Sequence, residues 1–224
     1  MDTSETTETT RTLRLVARFS PRALRARYEA AIRAGRLRVI ARIELLAPER
    51  IQQLARQSLT LLAGSALGFL ALDTLARAVQ HVPPLGAGAS LAGVVALIGA
   101  NILAYVAVLP LHEAAHAAII LALGGRPTFG LQLPFAAYCT ARDQLFTRNG
   151  YIAVALAPLV ILTAAGAVLT WLAPNLALYL LLGFTGNVAG AVGDLAAVAA
   201  LRRLPPDTLI EDTATGFTAY AVTE

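Results

Sequence analysis

The sequence predicts an all-α membrane protein with about four transmembrane helices, a cytoplasmic amphipathic N-terminal arm and a short hairpin-like loop. Three observations carry this expectation. Of the 224 residues, 57% are hydrophobic and 14% charged, and the mean hydropathy is +0.64; a soluble domain ordinarily carries about 25% charged residues. Four apolar segments, about 58–80, 89–123, 151–173 and 175–201, are each long enough to cross a hydrocarbon layer of about 30 Å at about 1.5 Å per helical residue. Finally, all 18 basic residues are arginines, 12 of them lie before residue 58, and four spans put 17 of the 18, all but Arg77, on one side. That asymmetry is the positive-inside pattern, so both termini and the 124–150 loop are expected in the cytoplasm and the chain in the cell membrane.

Taken in order, residues 1–10 are Thr/Glu-rich and expected to be disordered. Being acidic and polar, they do not form a secretory signal peptide. "FSPRALRARYEAAIRAG" reads as a helix with Ser20 as N-cap, Pro21 in the first turn and Gly35 as its stop. "RLRVIARIELL" suits either a strand or a helix, and "APERIQQLARQ" restarts a helix after Pro48. Residues 1–57 thus read as an arginine-rich arm along the membrane surface, 58–203 as the membrane domain and 204–224 as a cytoplasmic tail. Such an arm suits anionic headgroups, so membrane lipids are the expected partners and nucleic acid is not. Cys139 is the single cysteine, which excludes an intramolecular disulfide framework and a cysteine-rich zinc cluster.

In the first span Asp73 and Arg77 stand one helical turn apart and are expected to pair with each other, without a functional role. "HVPPLGAGAS" is a turn-rich connection. Residues 89–123 contain one acid, Glu113, and no arginine. A straight helix of that length would reach about 50 Å, so it must tilt, protrude or kink, and Pro110 is the expected kink. In the loop that follows, "TFGLQLPFAAYCT" has the look of a short hairpin or an extended edge.

The chemistry is concentrated in "VLPLHEAAHAAII". His112, Glu113 and His116 fit H-E-x-x-H, and on a helix residues four apart share a face, so both imidazoles can grip one zinc ion. Glu113 beside them can take the proton of a zinc-bound water, whose pKa the metal lowers from about 15.7 to about 7. An unpaired Glu inside a span would cost at least about 2.5 kcal/mol, so a chance pattern on a buried helix is the weaker explanation. A catalytic zinc usually takes three protein ligands. His81 lies in the opposite-side turn, and Asp194 is the acid the last span offers. Counting from the cytoplasmic ends, His112 lies about 18 Å deep and Asp194 about 12 Å, in the same half of the membrane. An arginine partner or a helix end is the plainer alternative for Asp194. Asn187 shares its face two turns earlier, and Gly183, Gly186, Gly190 and Gly193 flank the pair, which allows a close helix approach. Asn187, Tyr105 and Asn101 are candidates for touching substrate, steadying a ligand or simply packing.

An HEAAH span followed by an Asn…Gly-Asp element in the last span resembles the site-2 protease type of intramembrane zinc metalloprotease. The third ligand there is an Asp in an Asn- and Pro-bearing "LDG" motif; here the stretch reads "NVAGAVGDL", with no proline and with glycine before Asp194. The chain is more similar to a family of small membrane proteins described as zincin peptidases, whose pattern joins HExxH, a "laP" span ("VALAPLV", Pro158), Asn…Gly-Asp and a tail with an Asp-Thr element ("EDTATG"). The resemblance covers about residues 90–220. It implies His112, His116 and Asp194 as zinc ligands, Glu113 as general base, and membrane-protein or peptide substrates. Two functions are therefore expected to compete. One is an intramembrane zinc metalloprotease acting through a zinc-activated water. The other is a non-catalytic membrane protein with a structural metal site or a proton or ion relay.

Overall fold

The computed structural model describes residues 13–45, 47–84, 90–132, 136–213 and 215–223; the expected disorder of residues 1–10 lies outside them. The chain begins with β1 (Arg14–Val16), α1 (Arg22–Arg33) and β2 (Leu37–Glu44), followed by two long helices, α2 (Pro48–Gln80) and α3 (Leu91–Ala122). Three strands come next, β3 (Thr128–Gln132), β4 (Ala136–Thr140) and β5 (Gln144–Thr147). The helices α4 (Arg148–Leu172), α5 (Pro174–Leu178), α6 (Leu181–Gly190) and α7 (Val192–Leu201) then lead to β6 (Leu209–Thr213) and β7 (Gly216–Val222). Four helical stretches are long and apolar enough to cross a membrane: α2, α3, α4 and the α6–α7 run from Leu181 to Leu201. That is the build of a membrane protein.

The all-α expectation is corrected. A five-stranded mixed sheet runs in the order β1-β5-β6-β7-β2, and a separate hairpin pairs β3 with β4. β1 lies parallel to β5, while the other neighbours in the larger sheet are antiparallel. The ambiguous stretch "RLRVIARIELL" becomes β2 and pairs with β7 from Leu37↔Val222 to Glu44↔Gly216. What reads as an arm and what reads as a tail are therefore two sides of one sheet. The apolar residues of this sheet are too few in any single strand to announce it. They become a core only when Leu145, Leu209 and Tyr28, or Ile40, Ile210 and Phe217, come together from distant parts of the chain. Gly216 sits where β7 meets β2 so closely that a Cβ would lie 1.9 Å from the Ile43 carbonyl oxygen. No other residue fits there.

Other expectations hold in detail. α1 starts one residue after Pro21, and Gly35 takes the left-handed conformation (φ +64) that ends it, although Ser20 does not cap the helix with its side chain. α2 runs without interruption from Pro48, through position 57, to His81, whose left-handed φ of 56 caps its far end. The 89–123 segment is one helix with Pro110 inside it. Asp73 and Arg77 form a buried pair (Nε–Oδ2 2.7 Å), and Arg77 also donates to the Pro83 carbonyl (3.0 Å) and Asn175 Oδ1 (2.9 Å). It thereby ties the far end of α2 to α5. β3 and β4 form the expected short hairpin.

The last span differs from a straight helix. It breaks after Leu178 and again at Ala191, between α6 and α7. Two of its four glycines are used for close approach. A Cβ on Gly183 would stand 3.0 Å from the Ala104 carbonyl oxygen, and one on Gly186 would enter the Tyr105 ring at 2.7 Å. Gly190 and Gly193 face open space, so α6 is drawn against α3 by its first half alone. The break at Ala191 then places Asp194 in the first turn of α7, where the helix dipole favours a carboxylate.

Candidate metal centre

His112 and His116 stand on the same face of α3 with ring centroids 5.1 Å apart. One candidate ligand atom from each of His112, Glu113 and His116 lies within 4.8 Å of the others. Across from them, Asp194 on α7 brings Oδ2 to 3.1 Å from His112 Nε2 and Oδ1 to 3.5 Å from His116 Nε2. Two helices far apart in sequence thus bring the four polar residues of the sequence reading into one cluster.

The hydrogen bonds around this cluster fix which imidazole nitrogens carry protons. His116 Nδ1 lies 2.8 Å from the backbone carbonyl of Val154. A carbonyl can only accept, so Nδ1 donates. That carbonyl is available for a local reason: in a regular α-helix it would receive the N–H of residue 158, which is Pro158 and has none. His112 Nδ1 lies 3.0 Å from Asn187 Oδ1. The orientation of the Asn187 amide is set by its other end, where Nδ2 donates to the Pro158 carbonyl (3.1 Å) and Thr163 Oγ1 (3.4 Å). Oδ1 must therefore accept, and His112 Nδ1 donates as well. Both Nε2 atoms are left as the ligand nitrogens, pointing at a carboxylate. Neutral imidazole nitrogens and a carboxylate are all acceptors; facing one another they need a cation, or protons, between them. Hydrogen-bonded outer partners of this kind are the usual way to orient histidine ligands of zinc, and the donor set of two imidazoles and a carboxylate suits zinc with a position left open.

Glu113 turns toward β4, where the backbone N–H of Cys139 hydrogen-bonds its carboxylate. β4 pairs with β3 along one edge, so its other edge faces the centre. Beside His116 a cavity of about 200 Å³ extends toward the sheet, reaching Asp194, Tyr151, Cys139 and Asp212. Asp212 on β6 accepts the Tyr151 hydroxyl at 2.6 Å and the Ala141 N–H at 3.1 Å. Burial pushes its carboxyl up to about 6, even though these hydrogen bonds pull the other way. Sequence reasoning assigns no role to Asp212 or Tyr151. The one available signal was the Asp-Thr element in "EDTATG", and only the sheet reveals that this element returns to the centre.

The remaining candidates serve elsewhere. Asn101 donates to the Leu178 carbonyl (2.8 Å) and accepts the Leu182 N–H (2.7 Å), bridging the break between α5 and α6. Tyr105 packs its ring on Gly186 and is 43% exposed. Asn187, 1% exposed, is the one of the three that reaches a histidine.

Two consequences can be measured. Pro158→Ala returns an N–H to compete for the Val154 carbonyl, so zinc affinity should fall about 10–100-fold, as for loss of an outer partner. The metal-free thermal midpoint should hold or rise, because a helix-interior proline costs about 3 kcal/mol; competition with a chelator and a melt of the same sample would show both, and unchanged affinity would refute the role given to Pro158. Separately, burial and the nearby Glu113 and Asp212 charges push the Cys139 thiol up to about 12 from 9.0. Only the thiolate reacts, so its share at neutral pH drops about a thousandfold, partly offset by the higher nucleophilicity of a more basic thiolate. Alkylation of the native protein by iodoacetamide should be at least about tenfold slower than after denaturation. Equal rates would mean that β4 does not shelter this thiol.

Fold and centre together define a membrane protein with an HExxH-type polar centre between two of its spanning helices. Residues 105–209, a little under half of the chain, match the family model described as "Putative zincin peptidase", and this segment holds the whole centre apart from Asp212. No curated protein and no solved structure matches the chain. The family match and the His/Glu/His arrangement support a metallopeptidase that uses zinc.

Proposed function

We propose that this protein is an intramembrane zinc metallopeptidase that hydrolyses peptide bonds of membrane-associated substrates. The observation that carries the reading is the pair of imidazole Nε2 atoms aimed at Asp194 while both Nδ1 atoms are held by oxygen acceptors. His112, His116 and Asp194 would hold the metal. Zinc bound there would supply Lewis acidity, lowering the pKa of water and polarising a carbonyl. Glu113 takes the proton of the attacking water and later delivers it to the leaving amine. Its hydrogen bond from Cys139 N–H keeps the carboxylate at the mouth of the centre. A substrate segment unwinds and lies extended beside the edge of β4 away from β3, next to Glu113. A helical substrate could not present its carbonyl, because its own N–H groups cover it.

The end of the bundle that carries the five-stranded sheet faces the cytoplasm in this reading, following the arginine distribution. The test is zinc content of the purified protein together with cleavage of membrane-inserted peptides. Protein that does not retain zinc would overturn the proposal. Bound zinc without cleavage that depends on Glu113 would favour a structural metal site or a proton relay instead.

A further inference from the structure

A second cavity, of about 790 Å³, opens between the first half of α2 and α7. Its walls follow from helical spacing: Arg50, Gln53, Leu54, Gln57 and Leu61 share one face of α2, Val192, Leu195, Ala196 and Ala199 share one face of α7, and Arg203 follows in the turn just past the end of α7. Beside it α2 is tied to the end of α6, where Ser58 Oγ donates to the Ala189 carbonyl at 3.0 Å, just before the turn into α7. Toward the sheet the two faces spread apart, because the chain turns at Ala191. The result is a wedge with a polar mouth and an apolar floor.

We propose that this wedge binds one anionic phospholipid. Three arginines line it, Arg50, Arg56 and Arg203, and among the described residues no acidic one does. Among the described residues none of the three guanidinium groups has an ion-pair partner, so their charge is available. The level is right for a headgroup. From Arg56 to Arg77 the helix rises about 31 Å, close to the thickness of the hydrocarbon layer, and Arg50 lies about 9 Å further out. Arg50 and Arg203 therefore stand in the phosphate layer, with Arg56 at its lower boundary. Gln53 and Gln57 add neutral donors between them, suited to phosphate and glycerol oxygens. Below, Leu54, Leu61, Val192 and Leu195 offer an acyl chain an apolar wall. An arginine fork on a phosphate is a charge-assisted, often bidentate contact, and basic pockets between spanning helices are a recurring way to hold anionic headgroups. The inference does not depend on peptidase activity. Leu45, however, lines both this wedge and the cavity beside His116, so the lipid would sit one side chain from the centre.

The test is native mass spectrometry of the full chain from detergent, titrated with phosphatidylglycerol or with phosphatidylcholine of matched chains. One phosphatidylglycerol should be retained per chain, with at least about tenfold preference over phosphatidylcholine. The triple variant R50Q/R56Q/R203Q should lose that preference. A control with the same charge change on other exposed arginines, R22Q/R33Q/R126Q, should keep it. A199W, which fills the wedge and leaves every charge in place, should also abolish retention; it stands in if the triple variant does not fold. Equal retention of the two lipids, or an equal loss in the control triple variant, would overturn the site in favour of diffuse charge. Retention surviving both R50Q/R56Q/R203Q and A199W would do so as well.

Discussion

Glu113→Gln is expected to lower peptide cleavage by about 10²–10⁴-fold, the usual contribution of a positioned general base, with bound zinc unchanged. Glutamine matches glutamate in shape, and its amide oxygen can still accept the Cys139 N–H that now meets the carboxylate. It cannot take up a proton at neutral pH. The two imidazoles and Asp194, which make their own contacts without Glu113, should hold the metal as before. Metal analysis and cleavage of a membrane-inserted peptide, done on the same preparations, separate the two properties. Full-rate cleavage by the variant would remove Glu113 from the reaction. Loss of zinc along with activity would recast it as a ligand, which its place in the His112–Glu113–His116 cluster allows geometrically.

Asp194→Asn should cost more in zinc affinity than any change outside the ligand set, at least about 100-fold, since outer partners alone are worth about 10–100-fold. The carboxylate is the charged member of the proposed ligand trio, and both histidines face its oxygens. Replacing it by an amide removes the charge that offsets the cation and offers a poor ligand atom. Asn187→Leu is the informative comparison. It releases His112 Nδ1 but leaves every proposed ligand in place, so its loss should stay within the 10–100-fold range. Equal effects of the two variants would mean that Asp194 only steadies the histidines. Chelator competition monitored by a zinc-sensitive dye gives both values.

Much of the centre was legible in the sequence because its information is local. Two histidines four apart on a helix share a face whatever surrounds them, and an acid inside a span demands a partner. The four spans are legible for the same reason: crossing hydrocarbon needs a continuous apolar run, which a linear reading detects directly. Pro110 and Pro158 were equally visible, but only the structure gives Pro158 its consequence, a freed carbonyl under His116.

The sheet was hidden by contrast. β1 has three residues and β5 four, and they pair across well over a hundred positions. A strand of that length acquires its partners and its burial only from tertiary contacts. The same holds for Asp212 and Tyr151, which meet across 61 positions, and for the wedge between α2 and α7, which exists because α6 is drawn against α3 while α7 turns away. By itself the sequence determined the spanning helices, the arginine asymmetry and the HEAAH face, since each is written in the spacing of neighbouring residues. The tertiary structure decided the mixed sheet, the proton positions on the two histidines and the meeting of α3 with α7, because each depends on backbone groups from segments that only folding brings together.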